Sequence, residues 1–526
     1  MSGLNLADHC LLGHANDAAL ADKTALVLLR PQGSEESWTY RQLSERVVRV
    51  ASALGRLGLV KGDRVLLRLD NSTETAVVFF ACVRAGLIPI PSSPQLRAEE
   101  VAFVLRDSGA RALVTEGSLA TAVTTERDNL GDVCWVIAVG EAVLVAAGVE
   151  HVRLAELEAD SGPTSWPATS AEDPAYLIYT SGTTARPKGV LHAQRSVFGR
   201  ATVIQEWEGL VRSDRVCHAG ALNWTYTLGV GLMDPWSVGA TAVLSAGGRE
   251  SRFWPSIIER QGITVFAAVP TVYRQILKYT TVEEHDWSSL RHGLSAGEPL
   301  PAFVHEEWGR RVGTAIYEAL GMSEISTYLS FKPGMTVVAG ACGVAQRGRD
   351  IRLLALDSAV EAPRGTVGRL AVRRGDPGLM LGYWNSPEQP FEGDWFVGGD
   401  LARVDDDGVY WFEGRNDEVV KSFGYRVSPV EVEAVLGAHA SVAECAVGMV
   451  KTVKTGEVGV ALLTAFVKLH QGTELDPVEL DAHCRQHLAA YKVPRVYRAV
   501  DALPRTSNGK LLRRELSAAS EEPRQQ

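Results

Sequence analysis

The spacing of apolar residues along the first part of the chain predicts helices that alternate with short strands. Thr39, with Gln42 three residues later, predicts a capping box at a helix start. Apolar residues then recur at helical spacing: Leu43, Val47, Ala51 and Leu54. A second helix is predicted over residues 72–85, and β-prone runs occupy residues 25–29, 63–69, 87–91, 113–115 and 134–139. This βαβα rhythm predicts a mixed α/β fold in which helices cover parallel sheets.

The same alternation continues to the end of the chain. Short β-rich runs follow at residues 241–245, 264–269 and 291–294. Residues 405–408, DDDG, predict a hairpin turn. The last stretch alternates helix and strand patterns at residues 430–436, 444–449, 462–468, 477–488 and 495–500, and it has the size of a small domain. Because 526 residues exceed one hydrophobic core, length alone predicts two to four domains. The pattern of the last stretch predicts a small C-terminal α/β lobe after a large N-terminal domain.

Composition and charge narrow the class of protein. The chain is 46% apolar and 22% charged, which is ordinary for a soluble globular protein. Its net charge of −10, without a basic tail, gives no electrostatic basis for binding nucleic acid or an anionic membrane. The seven cysteines are scattered and form no CxxC pair, so we expect reduced thiols in a cytoplasmic protein. The most apolar window, residues 133–149, is interrupted by Glu141, and we expect no membrane span.

Residues 179–189, YTSGTTARPKG, form the stretch richest in candidate chemistry. Hydroxyls and glycines crowd it: Tyr179, Thr180, Ser181, Gly182, Thr183, Thr184 and Gly189. Glycines let backbone N–H groups approach an anion, hydroxyls add donors, and Lys188 adds a movable positive charge. The order is not the Walker pattern, because Pro187 precedes the lysine and Gly189 follows it. A solvated turn between strands is the alternative, but the full string favours a loop that wraps a polyphosphate.

Three stretches together resemble the signatures of the adenylate-forming superfamily, which includes acyl-CoA synthetases, luciferases and the adenylation domains of nonribosomal peptide synthetases. They are residues 179–189, residues 414–417 (GRND) and residues 508–510 (NGK). Residues 222–239, LNWTYTLGVGLMDPWSVG, resemble the benzoate-CoA ligase and medium-chain acyl-CoA ligase branches in particular. The resemblance covers roughly residues 8–515.

The resemblance implies a set of residues that bind the nucleotide and CoA. The phosphate loop contributes Thr180, Ser181, Gly182, Thr183 and Thr184. The adenine turn, residues 295–299, would contribute Gly297, Glu298 and Pro299. Residues 317–324, YEALGMSE, would contribute Glu318, Ala319, Leu320 and Ser323. Asp400 would bind the ribose, since a carboxylate can accept from both hydroxyls, and Arg415 would bind ribose or phosphate. Lys421, Gly424 and Tyr425 would face CoA during thioester formation.

The resemblance also implies an acyl pocket, formed by Trp224, Tyr226, Gly229, Ala296 and Gly321. Ordinary core packing is the alternative for this uncharged block. Leu320 replaces the tyrosine that often stacks on adenine, and Gly398 replaces the threonine that usually stands two residues before the ribose aspartate. Leu320 or Gly321 stands where acetate-type enzymes have tryptophan, so we expect an acid larger than acetate.

By the same resemblance, Lys510, Glu324 and Lys188 would be the catalytic residues. Glu324 offers a hard oxygen ligand for the Mg²⁺ carried by ATP. Lys510 would swing in on the C-terminal lobe, which would turn about a hinge at Asp417. This implies domains at residues 1–415 and 416–526, with a disordered tail from about residue 516.

The implied function is an ATP-dependent ligase that joins an aromatic or medium-chain carboxylic acid to CoA through an acyl-adenylate. An aryl-acid adenylating enzyme that loads a carrier protein stays open as the alternative, as does a homodimer. A sensor with a dead site is a third interpretation, and the presence of both Lys510 and Glu324 argues against it.

Overall fold

A nine-stranded sheet forms the centre of the large domain in the computed structural model. Six neighbouring strands are parallel: Thr24–Leu29, Thr241–Ser245, Arg215–His218, Val265–Ala268, His292–Ala296 and Ile316–Met322. Antiparallel strands close both edges, with Glu35–Thr39 on one side and Ser326–Ser330 with Val344–Ala345 on the other. The near-continuous burial of the parallel strands matches a sheet that is covered on both faces.

The structure describes most of the chain, and every statement below concerns these residues. They are residues 3–31, 33–120, 127–141, 148–159, 166–180, 187–247, 250–387, 390–416, 420–422, 425–452, 460–488, 490, 492–505 and 511–516. Nearly all of the tail that was predicted to be disordered therefore lies outside the described residues.

A second, all-parallel sheet packs beside the first. Its five strands lie in the order Ile88–Pro91, Arg64–Arg68, Ala112–Glu116, Trp135–Val139 and Glu150–Arg153. Helices Tyr40–Arg56 and Thr73–Arg84 contribute much of the hydrophobic core in this part of the domain. The predicted capping box is confirmed, because the side chains of Thr39 and Gln42 bond reciprocally to the backbone at that helix start.

Two antiparallel sheets complete the large domain. One joins Pro174–Thr180, Lys188–Ala193 and the two-residue strand Gly382–Tyr383. The other joins Ile351–Leu354, Gly368–Arg373, Trp395–Val404, Phe391–Glu392 and Tyr410–Arg415. The predicted turn at residues 405–408 connects two paired strands of this second sheet.

The C-terminal part forms a separate three-stranded sheet of Val442–Thr452, Val460–Leu469 and Val496–Ala499. Helices Pro429–Gly437 and Pro477–His487 bury apolar residues against it. A short hairpin of Val420–Ser422 and Tyr425–Val427 precedes them. The predicted small α/β lobe is therefore present.

The remaining helices cover the sheets of the large domain. The α-helices are Leu6–Cys10, Ala98–Ser108, Gly117–Ala120, Arg127–Leu130, Leu154–Ala159, Ser196–Val203, Thr225–Leu228, Asp234–Ser237, Trp254–Gln261, Pro270–Tyr279 and Ala302–Val312. Short 3₁₀ turns occupy Leu12–Asn16, Ser251–Phe253 and Val282–Glu284, and a further one, Arg513–Glu515, lies at the end of the C-terminal lobe. Two π-helical turns, Ile204–Glu208 and Gly229–Met233, extend helices whose side chains share one core cluster.

Two predictions from composition can be compared with the structure. Within the described ranges, no helix combines the length and the apolar character that a bilayer crossing requires. All seven cysteines are described and all are free thiols, as predicted.

Candidate active site

The hydroxyl-rich stretch connects the two strands of an antiparallel hairpin. Thr180 ends one strand, Lys188 begins the next, and the two residues are register partners. Tyr179 is fixed from outside, because its hydroxyl donates to the Asp107 carboxylate at 2.6 Å. Ser181, Gly182, Thr183 and Thr184 lie outside the described residues, so the structure places the two ends of the predicted phosphate loop.

Lys188 and Glu324 both contact one tyrosine, Tyr383, which the sequence patterns did not single out. The Lys188 ammonium lies 5.2 Å from the centre of the Tyr383 ring. The Tyr383 hydroxyl donates to Oε1 of Glu324 at 2.6 Å. Tyr383 reaches this position because the strand Gly382–Tyr383 pairs with the strand that Lys188 begins. A cation and a carboxylate from distant parts of the chain thus flank the end of the hairpin.

A buried histidine, which the sequence patterns also did not single out, fixes the residue before Glu324. His192 donates from Nε2 to the carbonyl oxygen of Ser323 at 2.9 Å. Its ring stacks on Tyr176 with centroids 4.6 Å apart. Burial lowers the pKa of His192 to about 4, so the ring is neutral near pH 7 and carries one proton for this bond. The hairpin therefore holds Ser323 and Glu324 in place through a neutral hydrogen bond.

Asp400 and Arg415 form a second polar group on neighbouring strands. They are register partners, and Arg415 donates to Oδ1 of Asp400 at 3.0 Å. The Tyr328 hydroxyl donates to Oδ2 at 3.3 Å. A carboxylate offers about four lone-pair directions, so the same group can accept from protein donors and from ribose hydroxyls together. Asp400 is only 5% exposed, and its fixed partners set the direction of the carboxylate.

The structure explains the glycine two residues before Asp400. A side chain at Gly398 would place its Cβ 2.6 Å from the sulfur of Met322. Met322 ends the strand that carries the predicted adenine-binding segment. The space that a threonine would fill is therefore taken by a side chain from another strand.

The predicted adenine residues lie at the ends of two adjacent parallel strands. Glu318 and Ala319 pair with Ser295 and Ala296 across these strands, and Gly297 follows directly. Leu320 is half-buried in the neighbouring core, and Pro299 is exposed. Backbone at such strand ends is where α/β sheets commonly bind ligands.

Glu318 is buried in this group, and its carboxylate accepts from the backbone N–H of Leu300 at 3.1 Å. Burial raises the pKa of Glu318 to about 8, so the side chain is mainly protonated at neutral pH.

Trp224 connects the predicted acyl pocket with the adenine turn. A Cβ at Gly297, which has a φ of +94°, would lie 2.7 Å from the Trp224 ring. Trp224 also packs edge-to-face on Tyr226, with centroids 5.5 Å apart. The rings of Trp207 and His218 flank Tyr226, with their centroids 5.8 and 4.3 Å from that of the Tyr226 ring. Trp224, Tyr226 and Ala296 thus belong to one hydrophobic cluster beside the carboxyl ends of the central parallel strands.

The two predicted pocket glycines are both closely covered. An added Cβ at Gly229 would overlap the guanidinium of Arg200, and one at Gly321 would overlap the backbone oxygen of Ser326. The close approach of other groups to the backbone in both places requires glycine.

Most of the residues predicted on the C-terminal lobe fall outside the described structure. This applies to Lys510, Gly424 and Asp417, and the side chains of Lys421 and Tyr425 are likewise not described. The residues that flank the lysine segment are described. Arg505 pairs with Leu511 in an antiparallel bridge, and its guanidinium contacts Glu298 at 3.1 Å. The base of the lysine segment therefore adjoins the predicted adenine turn.

A small group of charges joins the two parts of the chain, and no pattern in the sequence indicated it. Arg505 also contacts Glu444, which lies in the C-terminal lobe, at 3.3 Å. Glu444 in turn contacts Arg274 of the large domain at 2.8 Å. Burial alone would raise the pKa of Glu444, but Arg274, Lys468 and Arg505 together lower it. The carboxylate is therefore ionised and can attract both arginines.

Glu324 is the carboxylate that could hold a metal ion beside the hairpin. Within the described residues, no three His, Cys, Asp or Glu side chains form a ready metal cage. A single carboxylate nevertheless suits Mg²⁺, which keeps several waters and is often bound through one or two carboxylates and the phosphates of its nucleotide. The Tyr383 bond holds one oxygen of Glu324 and orients the other.

Comparison with known proteins covers almost the whole chain. Residues 14–384 match the family described as AMP-binding enzyme, and residues 431–510 match its C-terminal domain. A benzoate–CoA ligase of Thauera aromatica is 34% identical over 92% of this chain and 91% of that protein. The anthranilate CoA ligase AuaEII, solved with anthranoyl-AMP, has a TM-score of 0.87 at 31% identity and covers 98% of this chain and 97% of that one. A benzoate CoA ligase from Burkholderia xenovorans LB400 has a TM-score of 0.85 at 31% identity, covering 98% and 99%.

Proposed function

The chain belongs to the AMP-binding enzyme family, and from that membership we propose that it is an ATP-dependent carboxylic acid:CoA ligase. It joins an aromatic or medium-chain acid to AMP, releases pyrophosphate, and then transfers the acyl group to the thiol of CoA. ATP and CoA are its co-substrates. The proposal includes the division into residues 1–415 and 416–526, with Asp417 as the hinge.

The convergence of Lys188, Tyr383 and Glu324 at the loop end of the hairpin carries this proposal. A triphosphate needs positive charge for its oxygens and a hard oxygen ligand for its bound cation. Lys188 would supply the charge and Glu324 the ligand, and Tyr383 contacts both residues. Asp400 and Arg415 supply paired polar groups for a ribose on the neighbouring sheet. The adenine residues follow at the adjacent strand ends.

In the first half-reaction, the carboxylate of the acid attacks the α-phosphorus of ATP. One acyl oxygen–phosphorus bond forms, the bond from the α-phosphorus to the oxygen that bridges to the β-phosphate breaks, and pyrophosphate leaves. Both reactants are anions, so the residues must supply positive charge where they meet. We assign this role to Lys188 and Lys510. Each such donor contributes about 3 kcal/mol of transition-state stabilisation in comparable sites.

In the second half-reaction, the CoA thiolate attacks the acyl carbonyl and AMP leaves. The protein needs no nucleophile of its own for this step. The two half-reactions require different groups at the same carbonyl, so we assign the lobe a rotation about Asp417 between them. Lys510 acts before the rotation. Gly424, with Lys421 and Tyr425 beside it, faces CoA after the rotation.

We assign Glu324 the binding of Mg²⁺, because its carboxylate is half-buried and oriented by Tyr383. The ion would neutralise charge on the departing pyrophosphate. Ser323, held through its backbone by His192, would place its hydroxyl near the phosphates.

The aromatic group around Tyr226 suits the body of an apolar or aromatic acid. Trp224 adjoins both Tyr226 and Gly297 of the adenine turn, so the reacting carboxylate would lie beside the Trp224 ring. Ala296 and Gly321 would border the same space.

The experiment is an acid panel. The purified protein is incubated with ATP, Mg²⁺ and one acid at a time, drawn from benzoates, cinnamates and the straight-chain acids from butyrate to decanoate. Pyrophosphate release with at least one acid, and an acyl-CoA product after CoA is added, are the expected results. Reactions lacking acid or ATP are the controls.

The acceptor is tested in the same assay. A phosphopantetheinylated carrier protein replaces CoA in parallel reactions with the best acid. Acyl transfer to the carrier but not to CoA would replace this proposal with the carrier-loading alternative. AMP formation with none of the acids would contradict the proposal as a whole.

A further inference from the structure

A buried arginine with a fixed set of partners lies beside the predicted acyl pocket and has no part in the chemistry above. Arg200 donates from Nε and Nη2 to the two carboxylate oxygens of Asp234. Its Nη1 donates to the Ser326 hydroxyl at 2.9 Å. The Arg200 side chain is 8% exposed and that of Asp234 is 1% exposed. The fork geometry of this pair holds the guanidinium plane in one direction.

This guanidinium fills space beside one predicted pocket glycine, and its partner covers the other. It lies against Gly229, where an added Cβ would overlap three of its atoms. Ser326 lies against Gly321, where an added Cβ would overlap the Ser326 backbone oxygen. Two glycines from separate elements therefore face one hydrogen-bonded pair.

Arg200, Asp234 and Ser326 form a hydrogen-bonded cluster, and the elements that carry these three residues are locally irregular. The helix of Arg200 continues directly into the π-helical turn Ile204–Glu208, and Asp234 follows directly after the π-helical turn Gly229–Met233. Such turns occur frequently at functional sites. Ser326 has a φ of +76°, a left-handed conformation that is uncommon for a residue other than glycine. Three irregular segments therefore meet at Arg200.

Buried polar groups surround Arg200 and occupy the space beside it. Glu208 lies 3.8 Å from Nη2 of Arg200 and is fully buried. Burial, with Asp234 nearby, raises the pKa of Glu208 well above its usual range, which favours the protonated form of this carboxyl. The paired guanidinium and carboxylate have already lost their hydration. An alkyl chain that pushed them apart would leave two buried charges unpaired, which is strongly unfavourable.

We propose that Arg200 is a specificity-determining residue, which closes the inner end of the acyl pocket and restricts the enzyme to compact acids of about one aromatic ring. This proposal rests on the proposed function and chooses between its two acid classes. Straight chains of medium length would have to enter the space that Arg200, Asp234 and Ser326 occupy.

Space next to the cluster makes the proposal testable by mutation. A cavity of about 10 Å³ adjoins Arg200 and Asp234, lined also by Leu6, Cys10 and Met233. Shortening Arg200 would join this cavity to the space beside Gly229. Because removing one partner alone leaves a buried charge, the test variant is the double replacement Arg200→Ala with Asp234→Asn.

The experiment measures acid-dependent ATP–pyrophosphate exchange with benzoate, hexanoate, octanoate and decanoate. The wild type is expected to use benzoate best and the longer acids at least about tenfold less well, the usual discrimination by a filled apolar pocket. In the double variant, the ratio of kcat/KM for octanoate to that for benzoate is expected to rise by about tenfold. The KM for ATP is expected to stay unchanged, a result that general loss of structure would not give.

The matched control is another buried arginine–aspartate pair on the same domain. Arg349 contacts Asp376 at 2.6 Å. Within the described part of the chain, its other hydrogen bonds go to Gln346 and to the backbone of Gly199, directly before Arg200. The control variant therefore disturbs the same helix but leaves the Arg200 side chain beside Gly229. The variant Arg349→Ala with Asp376→Asn is expected to lose stability without a change in acid preference.

Arg200→Lys is a second test variant, for use if the double replacement does not fold. It keeps the charge beside Asp234 but lacks the planar fork, so it fills less of the space beside Gly229. The octanoate-to-benzoate ratio is expected to rise in this variant as well, by less than in the double variant.

Two results would overturn the proposal. The first is a wild type that uses decanoate as well as benzoate, and this measurement needs no variant. The second is an octanoate-to-benzoate ratio that is the same in the folded variants as in the wild type. Failure of the proposed function is a different result, because then no acid supports exchange in the wild type.

Discussion

The proposed nucleotide-binding residues of the large domain are held in place by different interactions from those that join the C-terminal lobe to this domain. Glu318 and Asp400 are 7% and 5% exposed, and backbone or tyrosine donors fix them within sheets. The side chains of Arg505 and Glu298, which join the lobe to the large domain, are 25% and 23% exposed. Buried hydrogen bonds are costly to break, whereas ion pairs in contact with water contribute little.

This difference suits the two tasks that we assign. A binding site for ATP gains from residues that are fixed before the ligand arrives, because little ordering is then required on binding. A lobe that presents different residues to one carbonyl must instead separate at low cost. The charged contacts of Arg505, Arg274 and Glu444 can exchange with water, so they hold one orientation without making it permanent.

The largest expected effect comes from removing the proposed lysine of the lobe. Lys510→Ala is expected to slow acyl-adenylate formation by at least about a hundredfold, because one donor of this type contributes about 3 kcal/mol. Thioester formation from a synthetic acyl-adenylate is expected to continue at nearly the wild-type rate. The two half-reactions are measured separately, by pyrophosphate exchange and by CoA consumption.

Lys492→Ala is the control for this prediction. Lys492 pairs with Glu431 inside the lobe, so its loss disturbs the lobe without touching the proposed chemistry. Unimpaired adenylation in Lys510→Ala would contradict the role assigned to Lys510. Equal slowing of both half-reactions would indicate a damaged lobe instead.

The sequence predicted those parts of the site that are local in the chain. The strand pair that has Thr180 and Lys188 at its loop end surrounds the glycine-rich stretch that the sequence singled out. Arg415 lies on the strand beside Asp400 because a predicted turn joins the two strands. Most predicted strands and helices agree with the structure to within a few residues for the same reason, since spacing along the chain determines them.

The parts that could not be predicted depend on contacts between distant segments. Tyr383 reaches Glu324 only because a two-residue strand adds to the hairpin, and two residues carry no periodic pattern. Gly398 is explained by Met322, whose side chain arrives from another sheet. Such exchanges of volume between distant positions leave no trace in local spacing.

Glu318 tests the large-domain side of the comparison. In the unfolded chain its carboxyl has an ordinary pKa of 4.5, and in the folded chain burial raises the pKa to about 8. Between these values the folded state binds more protons than the unfolded state, so the wild type loses stability as pH rises. Glu318→Gln keeps an acceptor for Leu300 but does not titrate. Its stability relative to the wild type is expected to grow by up to about 1.4 kcal/mol per pH unit in this window.

Urea unfolding of both proteins at several pH values within the window measures this difference. The exposed residue Glu284, replaced by glutamine, is the control, and its curve is expected to run parallel to that of the wild type. Parallel curves for Glu318→Gln would mean that the carboxyl is ionised in the folded protein, and the site would then be less enclosed than its burial indicates.

The smallest expected effect tests the exchangeable side of the comparison. Arg505→Glu places a third carboxylate beside Glu298 and Glu444, so the lobe is repelled from the orientation in the structure. Adenylation is expected to slow by about tenfold, within the range of coupling between contacting charges, while thioester formation is retained. Adding Glu298→Arg is expected to restore part of the rate, because an attractive pair returns.

Arg311→Glu, which breaks an ion pair with Glu283 inside the large domain, is the control. If Arg505→Glu slowed both half-reactions equally, the contact would be structural rather than specific to one orientation of the lobe.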